Sequence, residues 1–347
     1  MRRHVPPLRR RSLGFTLVEL MVSTAIGLVM VAGLVVMFAN TSQSSRELDK
    51  SVRLIENGRY AVDLLTEDIS TAGYFGAVPV YTSTATVSPC EVSSVVATDL
   101  EGQRAAATPT TPFGIEGLTP AEAAALTCLT NHQAGTPALI LRRLDTTALP
   151  AASVTSGLLY VQTSNSALDI NARYVAGTNT ATFTLHDRDG SINTVRRYLS
   201  RVYFIASCNE CGQDTVPTLK RAELNGNQIT VTPLAEGIER IGFDYGFDTD
   251  GDGIPDQWMG LNGTAGATES AAGAALGWGN VVAVKVSLLA RTTEPGTMGF
   301  APGARTYSGG LNGTVTTTIG PYSDSYKRQA YVVMARVNNL AGQREAP

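Results

Sequence analysis

Histidine is nearly absent from this sequence. Only His4, His132 and His186 occur in 347 residues, too few and too scattered for the imidazole clusters that zinc hydrolysis or histidine-based catalysis requires. Four cysteines, Cys90, Cys128, Cys208 and Cys211, are too few for a disulfide-dense scaffold. Charged residues make up 16%, against about a quarter in ordinary soluble domains. Lys and Arg together number 27 and Asp and Glu 30, which excludes a generally basic nucleic-acid binder. A long apolar run occurs once, which excludes a multi-pass membrane protein. No repeat of fixed period is evident, and G-x-S-x-G, H-E-x-x-H, the P-loop and G-x-G-x-x-G are all missing. What is abundant is Gly, Thr, Ala and Ser beside 43% apolar residues. That mixture can build a core, and it suits a β-rich exported or surface protein better than a cytosolic enzyme.

The charge is unevenly placed. Arg2, Arg3, Arg9, Arg10 and Arg11 crowd residues 1–14, which hold no acid. The rest of the chain carries 22 basic against 30 acidic residues. The Arg cluster precedes 25 residues, Phe15 to Ala39, whose single charge is Glu19. As a helix this run is about 37 Å long, enough for a hydrocarbon core of about 30 Å. Basic residues before such a run stay cytoplasmic, so the remainder is expected outside the inner membrane. Gly14, the small residue suited to cleavage, lies before the apolar run rather than after it, so cleavage there keeps the helix in the mature protein.

Gly14-Phe15-Thr16-Leu17-Val18-Glu19 closely resembles the class III signal of type IV prepilins. The resemblance implies a membrane prepilin peptidase that cuts after Gly14 and methylates the new N-terminal Phe15, with Glu19 as the residue that directs assembly. Elementary electrostatics points the same way. A carboxylate in hydrocarbon needs a partner, and in a stack of helices the nearest cation is the α-amine of a neighbouring subunit.

Beyond the apolar run, Leu48, Val52, Ile55, Val62, Leu65, Ile69 and Ala72 recur mostly at spacings of three and four, and Leu54, Ala61 and Leu64 widen the stripe, which predicts a continuing amphipathic helix with Gly58 as a bend and Gly73 as its stop. Residues 53–76 (RLIENGRYAVDLLTEDISTAGYFG), 233–256 and 279–294 are similar to segments of PilW-like minor pilins. The chain thus divides into a basic leader over 1–14, an assembly half of the helix over 15–39, an amphipathic half over 40–72 and a β-rich head over 73–347. Strands are predicted at Ala138–Leu144, Leu158–Thr163, Ala181–His186, Arg196–Ala206, Leu219–Leu224, Gln228–Pro233, Val281–Ala290 and Ala330–Val337, with a hairpin turn at Asn225-Gly226. Residues 77–137, 260–279 and 294–322 read as loop, apart from a short helix within Pro120–Leu129. The expected fold class is α+β: a long N-terminal helix packed on an antiparallel β-sheet with large loop insertions, as the pilin resemblance also implies.

Two features of the head could bind or react. Asp248, Asp250, Asp252 and Asp256, with Gly253 at the sixth position and the Ile254 carbonyl at the seventh, follow a calcium-loop spacing. Met259 stands at the twelfth position, where an EF-hand has glutamate. Oxygen donors of this kind suit Ca²⁺. An oxidising compartment makes disulfides the default. Cys90–Cys128 and Cys208–Cys211 are the pairing that closes each loop within its own region. A zinc site using Cys128 and His132 and a redox-active C-x₂-C at 208–211 are the rivals.

The expectation is a non-enzymatic minor pilin for type IV pilus biogenesis, inserted among other minor and major pilins and priming or capping the fibre, with no small-molecule substrate. A minor pseudopilin of a type II secretion system and a pilus-tip adhesin, whose ligand could be a host surface or nucleic acid, are the alternatives.

Overall fold

A computed structural model describes residues 14–76, 82–85, 88–90, 110–170, 174–226, 228–260, 277–296, 304–310 and 316–345. The Arg-rich leader expected over 1–14 lies outside the described residues, except for Gly14. The chain forms two units, Met1–Asp49 and Lys50–Pro347. One helix, α1, runs from Leu17 to Thr71.

In the first unit, Thr16 begins the helix: its Oγ1 accepts the Glu19 N–H at 3.3 Å, as an N-cap does. The apolar side chains around and after it, through Ala39, are all exposed, Phe15 at 80%. Three hydroxyls here are satisfied within the helix. The Ser23 hydroxyl donates to the Glu19 carbonyl at 2.6 Å, Thr24 to Leu20 at 3.0 Å and Thr41 to Met37 at 2.9 Å. A helix bathed in hydrocarbon requires such internal satisfaction.

In the second unit, α1 turns Leu54, Gly58, Ala61, Leu65, Asp68 and Ile69 inward. Leu54, Ala61, Leu65 and Ile69 lie on the predicted stripe, but its leading edge does not turn inward. Val52 and Ile55 are half or nearly half exposed. Gly58 marks close packing: a Cβ there would lie 2.3 Å from Cε2 of Tyr331. Gly73, at φ +73°, ends the segment, and Asn339 Nδ2 donates to the last carbonyls, Thr71 and Ala72, at 3.1 Å each.

The strands are β1 (Thr82–Ala85), β2 (Thr110–Pro112), β3 (Ile115–Leu118), β4 (Ala138–Leu144), β5 (Tyr160–Thr163), β6 (Tyr174–Gly177), β7 (Val195–Ala206), β8 (Thr218–Asn225), β9 (Gln228–Glu236), β10 (Ile238–Phe247), β11 (Gln257–Gly260), β12 (Val281–Arg291), β13 (Arg305–Gly310), β14 (Thr316–Tyr322) and β15 (Arg328–Arg336). They form a seven-stranded sheet, β3-β4-β7-β5-β6 with β8 on β7 and β9 on β8, and a four-stranded sheet, β11-β10-β12-β15. Every pairing within both sheets is antiparallel. The pair β1–β2 is parallel, and β13–β14 is a separate antiparallel pair. The fold class is α+β, with α1 from Leu54 onward packed on antiparallel sheet. One core joins Leu54, Ala61, Leu65 and Ile69 of α1 to Leu139, Leu141, Tyr203 and Ile205 of one sheet and to Phe243, Tyr245, Val284 and Val286 of the other.

The predicted strands at 138–144, 196–206, 219–224, 228–233 and 281–290 are present, most of them longer. Residues 181–186 are instead mostly a short 3-10 turn and coil, tied by a single bridge from His186 to Ile192. The β8–β9 turn sits one residue later than expected, because Asn225 pairs with Gln228 and Gly226 takes φ +63°. The helix within Pro120–Leu129 spans Pro120–Ala125 and carries a capping box, Thr119 Oγ1 accepting from Glu122 N and Glu122 Oε2 from Thr119 N.

Candidate functional site

The first candidate site is the start of α1. Glu19 lies in its first turn, where unpaired N–H groups and the helix dipole favour an anion, and its side chain is exposed among exposed Leu17, Val18, Leu20 and Met21. This is one helix long and apolar enough to cross a membrane, carrying an acid at its N-terminal end.

The second is the turn after β10. Asp248, Asp250 and Asp256 present carboxylate oxygens within 4.8 Å of one another, a group that could hold a metal ion. Gly251 at φ +89° and Gly253 at φ +81° let the chain fold back around them. Asp248 is fully buried. Its Oδ1 accepts from Gly251 N at 2.6 Å and its Oδ2 from Gly253 N at 2.9 Å, with Arg344 Nη1 3.3 Å from Oδ2. Burial pulls this carboxyl upward, but the two backbone N–H groups and Arg344 outweigh it and hold it below the usual carboxylate range. Asp256 Oδ2 accepts from the backbone N–H and the hydroxyl of Thr249 at 2.7 and 2.8 Å. Asp252 stands outside the trio; its Oδ1 accepts from Ile254 N at 2.7 Å, and the Ile254 side chain is exposed. Met259, at the twelfth loop position, packs against the core. The turn is held by backbone donors, by Thr249 and by Arg344.

Two family models match the chain. The prokaryotic N-terminal methylation motif covers residues 9–35, taking in Gly14, Phe15 and Glu19. The model for type IV pilus-assembly protein W covers residues 202–339, from the second half of β7 through β15 and including the acidic turn. The chain is PilW-like. Its structure is also similar to that of the type IV-like pilin TTHA1219 from Thermus thermophilus, at 13% identity and a TM-score of 0.36, over 83% of this chain and 97% of the other. No curated protein matches.

Inside the PilW-like region, Cys208 and Cys211 are joined; ahead of it, Cys90 is joined to Cys128 across a sequence separation of 38. All four sulfurs are bonded, which leaves no thiolate for zinc. Neither described histidine belongs to a nucleophilic triad. His132 Nε2 lies 2.8 Å from the Thr136 carbonyl. His186 Nδ1 lies 3.0 Å from Asp169 Oδ1, but the Ser164 hydroxyl donates to Asp169 and to the His186 carbonyl rather than to the imidazole. Trp278 is a core residue, edge-on to Tyr245 at 5.0 Å. Trp258 is half-buried and covers Gly246 together with Pro255.

Asp68 lies outside every predicted site. It is buried on the inner face of α1, where Arg201, Arg143 and Tyr203 of the seven-stranded sheet all converge on it. The available signal was an acid one turn beyond Leu65 on an apolar stripe. Arg344, which neutralises Asp248, had no local signal, because 96 residues separate the two.

Proposed function

We propose that this PilW-like protein is a non-enzymatic minor pilin of type IV pilus biogenesis. A peptidase cleaves after Gly14, Phe15 becomes the methylated N-terminus, and the apolar half of α1 anchors the chain in the inner membrane with its leader cytoplasmic and its head outside. The helix then inserts among those of other pilins. The observation that carries this reading is the exposed apolar start of α1, whose one acid, Glu19, lies within the methylation-motif match. A carboxylate held in hydrocarbon at the end of a spanning helix is costly without a partner. A neighbouring subunit's N-terminal amine offsets that cost and sets the register between helices.

Glu19→Ala should leave membrane insertion intact, since it makes the helix more apolar, while pili per cell fall at least about tenfold, the equivalent of losing about 1.4 kcal/mol in assembly. Counting pili by microscopy and co-purifying partner pilins would check it. Unchanged piliation and co-purification would overturn the pairing role, and unchanged piliation with lost protein secretion would move the protein to a secretion pseudopilus.

The acidic turn supports a second, finer proposal: Asp248, Asp250 and Asp256 bind Ca²⁺, a hard cation suited to carboxylate and carbonyl oxygens. A ligand that binds only the folded state stabilises it by about 2.7 kcal/mol at 100 times Kd. The full chain in detergent should melt several degrees higher in millimolar Ca²⁺ than in chelator, Mg²⁺ should substitute poorly, and Asp250→Ala with Asp256→Ala should remove the difference. Equal melting with and without Ca²⁺ would leave the turn a structure closed by its backbone donors and Arg344.

A further inference from the structure

Cys208 and Cys211 are joined in the loop between β7 and β8, at a sequence separation of only three. The stabilising effect of a disulfide grows with the length of chain it closes, so this one contributes little as a staple. The loop also has other fastenings. The Asp214 carboxylate accepts from the backbone N–H groups of Asn209 at 2.8 Å, Glu210 at 2.6 Å and Val216 at 2.9 Å. Lys220 on β8 donates to the Asn209 carbonyl at 2.8 Å.

The two sulfurs sit in different surroundings. Cys208 is buried, whereas Cys211 is exposed. Lys220 is only 7% exposed, and it holds Nζ 3.7 Å from Cys211 Sγ. The Ser207 hydroxyl donates toward Cys208 Sγ at 3.8 Å. The acids with contacts in the loop, among the described residues, are Asp214, engaged by its three N–H donors; exposed Glu210; and Glu236, which accepts from Asn209 Nδ2 at 2.8 Å. Lys220 is thus the cation placed at the sulfur that solvent can reach. A cation beside a cysteine stabilises its thiolate, and a stabilised thiolate favours the reduced pair.

We infer that Cys208–Cys211 is a thiol–disulfide exchange site whose reactant is an exposed dithiol on another protein, with Lys220 activating Cys211. The incoming thiolate attacks Cys211 Sγ, and the Cys208–Cys211 bond breaks. Cys208 leaves as a thiolate, which accepts the Ser207 hydrogen bond and takes a proton from water. The second thiol of the reactant gives its proton to water and attacks its own partner's sulfur in the mixed disulfide. That step releases the Cys211 thiolate beside Lys220. Two electrons pass to the pair, and the reactant leaves as a disulfide; the reverse sequence reoxidises the pair.

The test uses the full chain in detergent with dithiothreitol as the dithiol, followed by differential alkylation and peptide mapping. Cys208–Cys211 should open before Cys90–Cys128, with the melting temperature nearly unchanged. In the selectively reduced protein, iodoacetamide should modify Cys211 with a pH midpoint at least about one unit below the ordinary thiol value of about 8.5. Lys220→Met should raise that midpoint and slow modification at pH 7 about threefold, the tenfold loss of thiolate being partly offset by greater intrinsic nucleophilicity. Lys220→Arg should keep the low midpoint. An ordinary midpoint in the unmutated chain, a midpoint unmoved by Lys220→Met, or a pair that opens only when the protein unfolds would each overturn the inference. The unmutated profile decides the matter even if Lys220→Met does not fold.

Discussion

Asp68→Ala should destabilise the folded chain by about 3–5 kcal/mol, the range seen when one partner of a buried ion pair is removed. Asp68 Oδ1 takes Arg201 Nη1 at 2.7 Å and Arg143 Nη2 at 3.2 Å, and its Oδ2 takes the Tyr203 hydroxyl at 2.5 Å. Alanine would leave two guanidinium groups and a phenol facing an apolar helix, with Glu223 as the remaining acid on Arg201. Asp68→Asn keeps the shape and can still accept from Tyr203, so its cost should be smaller. Burial pulls the Asp68 carboxyl upward, yet Arg201, Tyr203 and Arg143 together hold it below its ordinary value. The sign of the pH dependence follows. A depressed carboxyl contributes stability above its unfolded pKa of about 3.9 and loses it as pH falls through the folded value. Denaturant unfolding of the full chain in detergent should show the gap between wild type and Asp68→Ala fully present at pH 7 and closing only below about pH 4. A gap under about 1 kcal/mol at pH 7 would mean that the cluster breaks even against its desolvation.

The second large effect is expected at Gly114, between β2 and β3. A Cβ there would lie 2.4 Å from Gly73 Cα and 2.7 Å from Gly73 N. Both obstacles are backbone, and neither strand nor helix end is free to give way. Gly73 N donates to the Arg142 carbonyl at 3.0 Å, and Arg142 N donates to the Gly114 carbonyl at 2.8 Å, so the end of α1 and the start of β3 are bound to the same residue of β4. Gly114→Ala must pry them apart, at a cost of about 3 kcal/mol, the upper end for overpacking. Gly58→Ala makes a useful contrast. The Cβ there meets the tip of the Tyr331 ring, which can swing aside, and alanine gains about 1 kcal/mol of helix propensity. Thermal melts should therefore rank Gly114→Ala well below Gly58→Ala. Equal melting temperatures would show that the Gly73–Gly114 crossing yields easily.

Much of this protein is legible in short stretches of chain. The apolar run with one acid, the Gly14-Phe15 junction and the stop at Gly73 are local, as are the capping box at Thr119 and Glu122. Strands β4, β7, β8, β9 and β12 announce themselves by runs of β-branched and aromatic residues. That carboxylates would meet after β10 followed from their spacing, because a nine-residue segment closes on itself, but the structure leaves Asp252 outside the trio. Tertiary structure decided the rest. The inner face of α1 is set by Tyr331 packing on Gly58 and by three partners converging on Asp68, so the predicted stripe through Val52 and Ile55 ended up half exposed. Strand β10 lies between β11 and β12 although glycines and an aspartate interrupt its pattern. The β13–β14 pair forms within a segment whose composition reads as loop. Arg344 reaches Asp248 and Lys220 reaches Cys211 only because the chain returns to itself. The division is physical. Propensity and periodicity act over a few residues, whereas a buried charge or a glycine at a backbone crossing takes its meaning from atoms that sequence places far away.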